Sequence, residues 1–258
     1  SMQIESVRGV HEVVIYRIEN GSEVEALRET RSGEHTLNYA PEIDFTEATS
    51  KLKVVVSDGR EGKEATGYVK AYVNMDVATL NVGSQPLANN AHEKYPDAFG
   101  MVSLNDLKTY SVDYAIANEA NAKNIDFKFY CFGAAGSPRL YSMDNTGKDS
   151  EFSGSTGKLS AIKVKNLTRF AILSNFDYEN ATVTSISSEI LSSSITQSLL
   201  DPIAVGNIIA FRTGGSSAAG GGRIGVMKVI NITEPKDLVS SNATARVMTV
   251  EIKFPQKK

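Results

Sequence analysis

The sequence predicts an all-β protein of two β-sandwich domains. Residues 1–75 would form an immunoglobulin-like sandwich, and residues 77–258 a larger, jelly-roll-like one with one or two short helices. Three observations predict it. Val, Ile, Thr, Tyr and Phe recur in short runs separated by Gly, Asn, Asp and Ser clusters. Stretches with helical periodicity are scarce. The 258 residues are enough for each of two units to bury a core of its own.

In the first unit, His11–Ile18 reads as a strand ended by the turn Glu19–Ser22. Thr36–Tyr39 and Ile43–Phe45 are short apolar pieces on either side of Pro41. Lys51–Ser57 and Ala65–Val73 are alternating runs around a polar, Gly-containing stretch, which is a hairpin signature. The unit is short for an immunoglobulin fold, so either one edge strand is expected to be missing or its start to be trimmed.

In the second unit, strands are expected at Ala78–Val82, Phe99–Leu104, Asp126–Phe132, Thr168–Leu173, Gly206–Thr213, Arg223–Ile232 and Ala245–Phe254. The last is the most legible. Met248, Val250, Ile252 and Phe254 alternate with Thr249, Glu251 and Lys253, giving one buried face and one wet face. Ser111–Asn121 places Val112, Ala115, Ile116 and Ala120 on one helical face. Ser187–Leu200 is the second helix candidate, stopped by Pro202. The Gly-, Ser-, Asn- and Asp-rich stretch Ser137–Gly157 is expected to be a long exposed loop.

Leu80–Gln85, Ala98–Ser103, Tyr110–Asn121, Asn124–Tyr130, Leu167–Phe170, Val205–Arg212 and Gly225–Ile230 precede the closing strand in that order. The succession resembles a β-sandwich domain of uncharacterised secreted proteins and lipoproteins of Bacteroidetes, where it often follows an immunoglobulin-like module. The resemblance spans the second unit and carries no known catalytic residues. It implies an address at the cell surface, in the outer membrane or in the periplasm. Ser1-Met2 reads as the scar of a cleaved tag, so a signal segment, and with it a candidate lipid anchor, is expected upstream.

Composition and motifs argue against several function classes. The net charge is −3, and the 27 basic and 30 acidic residues are interspersed. No basic patch stands ready to release counterions from nucleic acid, so nucleic acid is not an expected partner. No apolar run is long enough for a membrane-spanning helix. The single Cys131 lies within the apolar run Asp126–Phe132 and is expected to be a buried, inert thiol. His11, His35 and His92 stand at no metal-ligand spacing. There is no Gly-x-Ser-x-Gly elbow, and neither Gly147-Lys148 nor Gly157-Lys158 is followed by the Ser or Thr of a nucleotide loop. Catalysis and a bound cofactor are therefore not expected. Asp144–Asp149 with Glu151 offers oxygen ligands without the EF-hand register, so a solvated turn is expected there. The sequons at Asn20, Asn166, Asn180, Asn231 and Asn242 are read as turn and strand composition.

What remains is binding. A β-sandwich displays its variable connections at its ends. The candidate ligand contacts are Gly214, Gly215, Ser216 and Ser217 on the Gly-rich hairpin tip 214–222, and Tyr141 as an aromatic anchor in the 137–157 loop. The plainer expectation for the tip is mobility, because glycines cost entropy when ordered. The resulting reading is a non-catalytic binding or scaffolding protein with an unknown protein or glycan partner. A carbohydrate-binding accessory lipoprotein of a polysaccharide-uptake system is the alternative. It is weakened by the absence of Trp, which leaves Tyr95, Tyr110, Tyr114, Tyr141 and Tyr178 as candidate sugar-facing rings.

Overall fold

The computed structural model describes residues 1–257. Ser1–Met75 and Glu179–Ser185 form one compact unit, while Asp76–Tyr178 and the chain from Ile186 onward form the other. The short later segment Glu179–Ser185 thus joins the first unit.

In the first unit β1 (Met2–Glu19) and β2 (Ser22–Tyr39) make a long hairpin. Its turn, Asn20-Gly21, has φ of 50° and 82°, the left-handed pair that matches the twist of the flanking strands. With β3 (Thr49–Ser57) and β4 (Glu64–Lys70) it forms an antiparallel sheet in the order β2-β1-β3-β4. An immunoglobulin-like unit would face one sheet with another, whereas here one sheet folds over itself. The β1–β2 register slips between Glu5 and Glu12. There the strands cross so closely that a Cβ on Gly9 would lie 2.2 Å from the Gly33 carbonyl oxygen. Gly9 and Gly33 take φ of 88° and 91°, which only glycine adopts freely. Past this bend Met2, Ile4, Leu37 and Tyr39 join Val13, Ile15 and Val54 in one core cluster. β2 was invisible as a full-length strand because Glu, Arg and Thr crowd it, a composition suited to an edge.

The second unit contains β5 (Met75–Gly83), β6 (Met101–Ser103), β7 (Lys108–Tyr110), β8 (Phe127–Phe132) and β9 (Ser137–Ser142), followed by β10 (Arg169–Leu173) and β11 (Leu199–Leu200). It ends with β12 (Ile208–Arg212), β13 (Ile224–Ile232) and β14 (Val247–Pro255). They build two antiparallel sheets, ordered β10-β12-β13-β14-β5 and β11-β9-β8-β6-β7. The sheets face one another across a shared core. Phe127, Phe129 and Cys131 of β8 pack with Phe170, Ile209, Phe211 and Met227, and with Met248, Val250, Ile252 and Phe254 of β14. The apolar half of the β14 alternation thus builds the sandwich, but the other face is not wet. Thr249 and Glu251 are half-buried, and Lys253 is fully buried and donates to the Tyr178 carbonyl at 2.6 Å. Consecutive strands β6–β9 share one sheet and β12–β14 the other, where a jelly roll would cross between sheets at each connection.

Two helices, α1 (Val112–Ala117) and α2 (Glu119–Lys123), replace the single helix expected at Ser111–Asn121. Asn118 breaks it. Its backbone is extended, and its side chain caps α2 by accepting the Asn121 N–H at 2.9 Å. The second helix, α3 (Val183–Glu189), begins earlier than expected, and Leu199-Leu200 pairs instead with Tyr141 and Leu140 of β9. The stretch 137–157 is not an exposed loop. It begins as β9 and then wraps the outer face of its sheet, where Phe152 and Leu159 join Val112, Ala115, Tyr130 and Tyr141 in a second core.

Candidate functional site

The Gly-rich connection between β12 and β13 is folded, not free. Thr213 N–H donates to the Arg223 carbonyl at 3.0 Å and the Ala218 N–H to the Lys123 carbonyl at 2.9 Å. Ser216 Oγ lies 2.6 Å from Asn166 Oδ1, and Asn166 Nδ2 in turn donates to the carbonyls of Lys123 and Ile125 at 2.8 and 2.7 Å. Asn166 is fully buried, which makes it a structural hub and not a glycan acceptor. Gly214 is buried against Leu167, whose backbone N would stand 2.4 Å from an added Cβ. Ser217 is buried beside the Asp126 carboxylate, and Ala219 sits in the main core. Of the four nominated positions only Gly215 is exposed, with Ser216 half-buried. Close packing is the reason for Gly214 and Gly221, whereas Gly220 and Gly222 take φ of 94° and 76° and Gly215 faces open space.

Tyr141 is likewise interior. It lies on β9 with its ring edge-on to Tyr130 at 5.6 Å, and Arg139 donates to its hydroxyl at 3.4 Å. It presents no open face. The acids of 144–151 are each matched by a cation. Asp144 takes a two-pronged contact from Arg169 at 2.8 Å, buried Asp149 pairs with buried Lys128 at 2.7 Å, and Glu151 pairs with Lys148 at 2.8 Å. Burial lowers the proton affinity of Lys128, and the Asp149 carboxylate acts against that. Among the described residues no group of three or more His, Cys, Asp or Glu is placed to hold a metal ion. Burial pushes the Cys131 thiol up to about 12.

The open site in the second unit lies elsewhere, between two sheet edges. β5 ends one sheet and β7 ends the other. Between them runs a groove of about 440 Å³ lined by Thr79, Leu80, Asn81, Asp97, Phe99, Lys108 and Thr109. Its lining is mostly polar, with a carboxylate, an ammonium, hydroxyls and an amide beside one half-buried aromatic ring, Phe99. Thr109 fixes one wall: its hydroxyl donates to the Asp97 carbonyl and lies 3.4 Å from the Phe99 N–H. Thr249 Oγ1 lies 2.8 Å from Asn81 Oδ1 and holds the other wall. Beyond β7, Tyr110 and Tyr114 stack with centroids 4.0 Å apart. The Tyr110 hydroxyl bonds the Asp106 carboxylate, and Asn124 Nδ2 lies 3.3 Å from both Asp106 and the Tyr114 hydroxyl. Burial and the Asp106 carboxylate raise the Tyr110 phenol.

Sequence reasoning placed the contact on loops and missed this groove. Its lining comes from two strands and the segment before β6, which are distant in the chain, so no local motif marks it. The one legible signal is the alternation of polar Thr79 and Asn81 with Leu80 and Val82.

No family model matches the chain, and no curated protein does. Among solved structures, a DUF4466 family protein from Parabacteroides merdae ATCC 43184 is similar, with a TM-score of 0.46 and 13% sequence identity. The superposition covers 96% of this chain and 88% of that one. The neighbour is a Bacteroidetes protein of an uncharacterised family, and its name specifies no ligand.

Proposed function

We propose that this is a non-catalytic binding or scaffolding module of the cell surface or periplasm, which meets its protein or glycan partner through the β5–β7 groove. The observation that carries the reading is the groove itself: an open cleft of about 440 Å³ in which Asp97 and Lys108 accompany Thr79, Asn81 and Phe99. The non-catalytic part of the reading is supported by the burial of Asp126 and Lys128, interior groups with displaced proton affinities that lie away from solvent. The address is supported by the sequence resemblance described above. The test is to screen glycan and peptide arrays with the full chain and with the double variant Asp97→Ala/Lys108→Ala. Ligands of the parent chain should bind the variant at least about tenfold more weakly. Equal binding to both proteins would remove the groove from the contact.

A carbohydrate-binding role is the second reading, favoured by the stacked Tyr110–Tyr114 pair beside Asp106 and Asn124. Ring faces complement the C–H faces of sugars while the carboxylate and amide bond their hydroxyls. If it holds, Tyr110→Ala should weaken an oligosaccharide found on the array, and a peptide ligand should be indifferent to it.

A further inference from the structure

We infer that the groove receives an extended peptide, which adds to the free edge of β5 as a short new strand. The inference rests on the reading of the groove as the ligand contact, and it names the occupant. Its ground is backbone phase. Ser84 N–H donates toward β14, to the Arg246 carbonyl at 2.9 Å. Gly83 N–H donates the opposite way, to the Phe99 carbonyl at 3.0 Å. Alternate residues of a strand send their amides and carbonyls to the same side. Thr79 and Asn81, in phase with Gly83, therefore turn theirs away from β14 and into the groove.

Phe99 occupies this edge at Gly83 alone, because the chain then leaves to form β6 in the other sheet. Among the described residues no other strand pairs with the edge along Thr79–Asn81. Donors and acceptors repeating every second residue are what another extended backbone matches, whereas saccharide hydroxyls have no such period. At a rise of about 3.3 Å per residue that stretch faces roughly three peptide residues. Asp97 and Lys108 line the same groove. They suit a peptide with a basic and an acidic side chain among those residues.

The test pans a phage library of random seven-residue peptides against the full chain. A recovered peptide is then resynthesised with single N-methyl groups at each position. Methylation removes one donor and leaves every side chain in place. Affinity should fall about tenfold at alternate positions and stay nearly constant at the positions between. Thr79→Pro deletes a groove-facing N–H while sparing the ladder to β14, a place where an edge strand tolerates proline. It should weaken the peptide about tenfold with an unchanged circular dichroism spectrum; if that variant does not fold, the methyl scan still decides. Recovery of no peptide, or a methyl scan without a two-residue period, overturns the inference. A glycan that then binds the parent chain but not Asp97→Ala/Lys108→Ala would leave the binding-module reading standing, while failure of both ligand classes would sink the two together. Self-association of the parent chain that Thr79→Pro abolishes would give the edge to a second copy and also overturn the peptide.

Discussion

Asp126 couples the interior of the second unit to pH. Its Oδ2 accepts the Leu104 N–H at 2.8 Å, while its buried Oδ1 has no hydrogen-bond partner. Burial pushes its carboxyl from an ordinary 3.8 up to about 7. As pH rises from 4, the unfolded chain releases this proton first, so the stability contributed by this group is full below pH 4 and is lost as pH climbs to about 7. The loss amounts to about 4 kcal/mol, one unit of pKa being about 1.4 kcal/mol. Urea unfolding at pH 5 and pH 8 should show the parent chain weaker at pH 8, and Asp126→Asn should flatten that difference. Gly214→Ala tests the packed loop in the same way. The Leu167 backbone has to move to admit the methyl, and we expect a cost of roughly 1–3 kcal/mol. Neither residue was legible as special in the sequence. Asp126 reads as the polar start of an apolar strand and Gly214 as one glycine of a loose turn. What distinguishes them is contact with Ser217, Leu104 and Leu167, all remote in the chain.

At the scale of the element, alternation decided what was legible. The core face of β14 is legible because it is apolar throughout, while the burial of Lys253 on the other face is not. On the core face, Ile252→Ala should cost about 2–5 kcal/mol by leaving a cavity in the sandwich core. A change below about 0.5 kcal/mol in chemical denaturation would place that face in solvent. Most of the missed strands are edges or short pieces; β9, six residues inside its sheet, is the exception, hidden by Ser137-Pro138 and the Gly-, Ser- and Asp-rich stretch after it. β2 carries six charged residues among its 18, β7 has three residues and β11 two. Their residues carry too few alternations to separate a strand from a loop, and pairing across the sheet, not local preference, makes them strands. The bend at Gly9 and Gly33 follows the same rule. Each glycine alone is an ordinary turn signal, and only their crossing shows that the hairpin folds over its own sheet.

For the whole molecule, the first unit is not one continuous segment. Glu179–Ser185 belongs to it, with Lys70 paired to Glu179 at 2.9 Å and Thr184 N–H donating to the Glu47 carbonyl at 3.3 Å. A fragment of residues 1–75 lacks those partners. We expect hydrogen exchange to show its β3 amides less protected in the fragment than in the full chain. Equal protection would show that the later segment adds nothing to that sheet. In the sequence, the change in strand pattern at Asn74–Ala78 is the one cue to a division. It gave no sign of the returning segment, whose membership is a matter of spatial contact.

The distance between β5 and its ladder partner has a consequence for how the chain is made. Asn81 and Thr249, which meet across the two strands, are 168 residues apart. On a ribosome β5 emerges early and waits, unpaired on both sides, until β14 is nearly finished. Through that interval an apolar strand with two open edges is a template for pairing with other nascent chains. Fragments that stop before Val247 never acquire the partner at all, so truncated products of this chain are expected in the insoluble fraction and should draw on holdase chaperones in proportion to their length beyond β5.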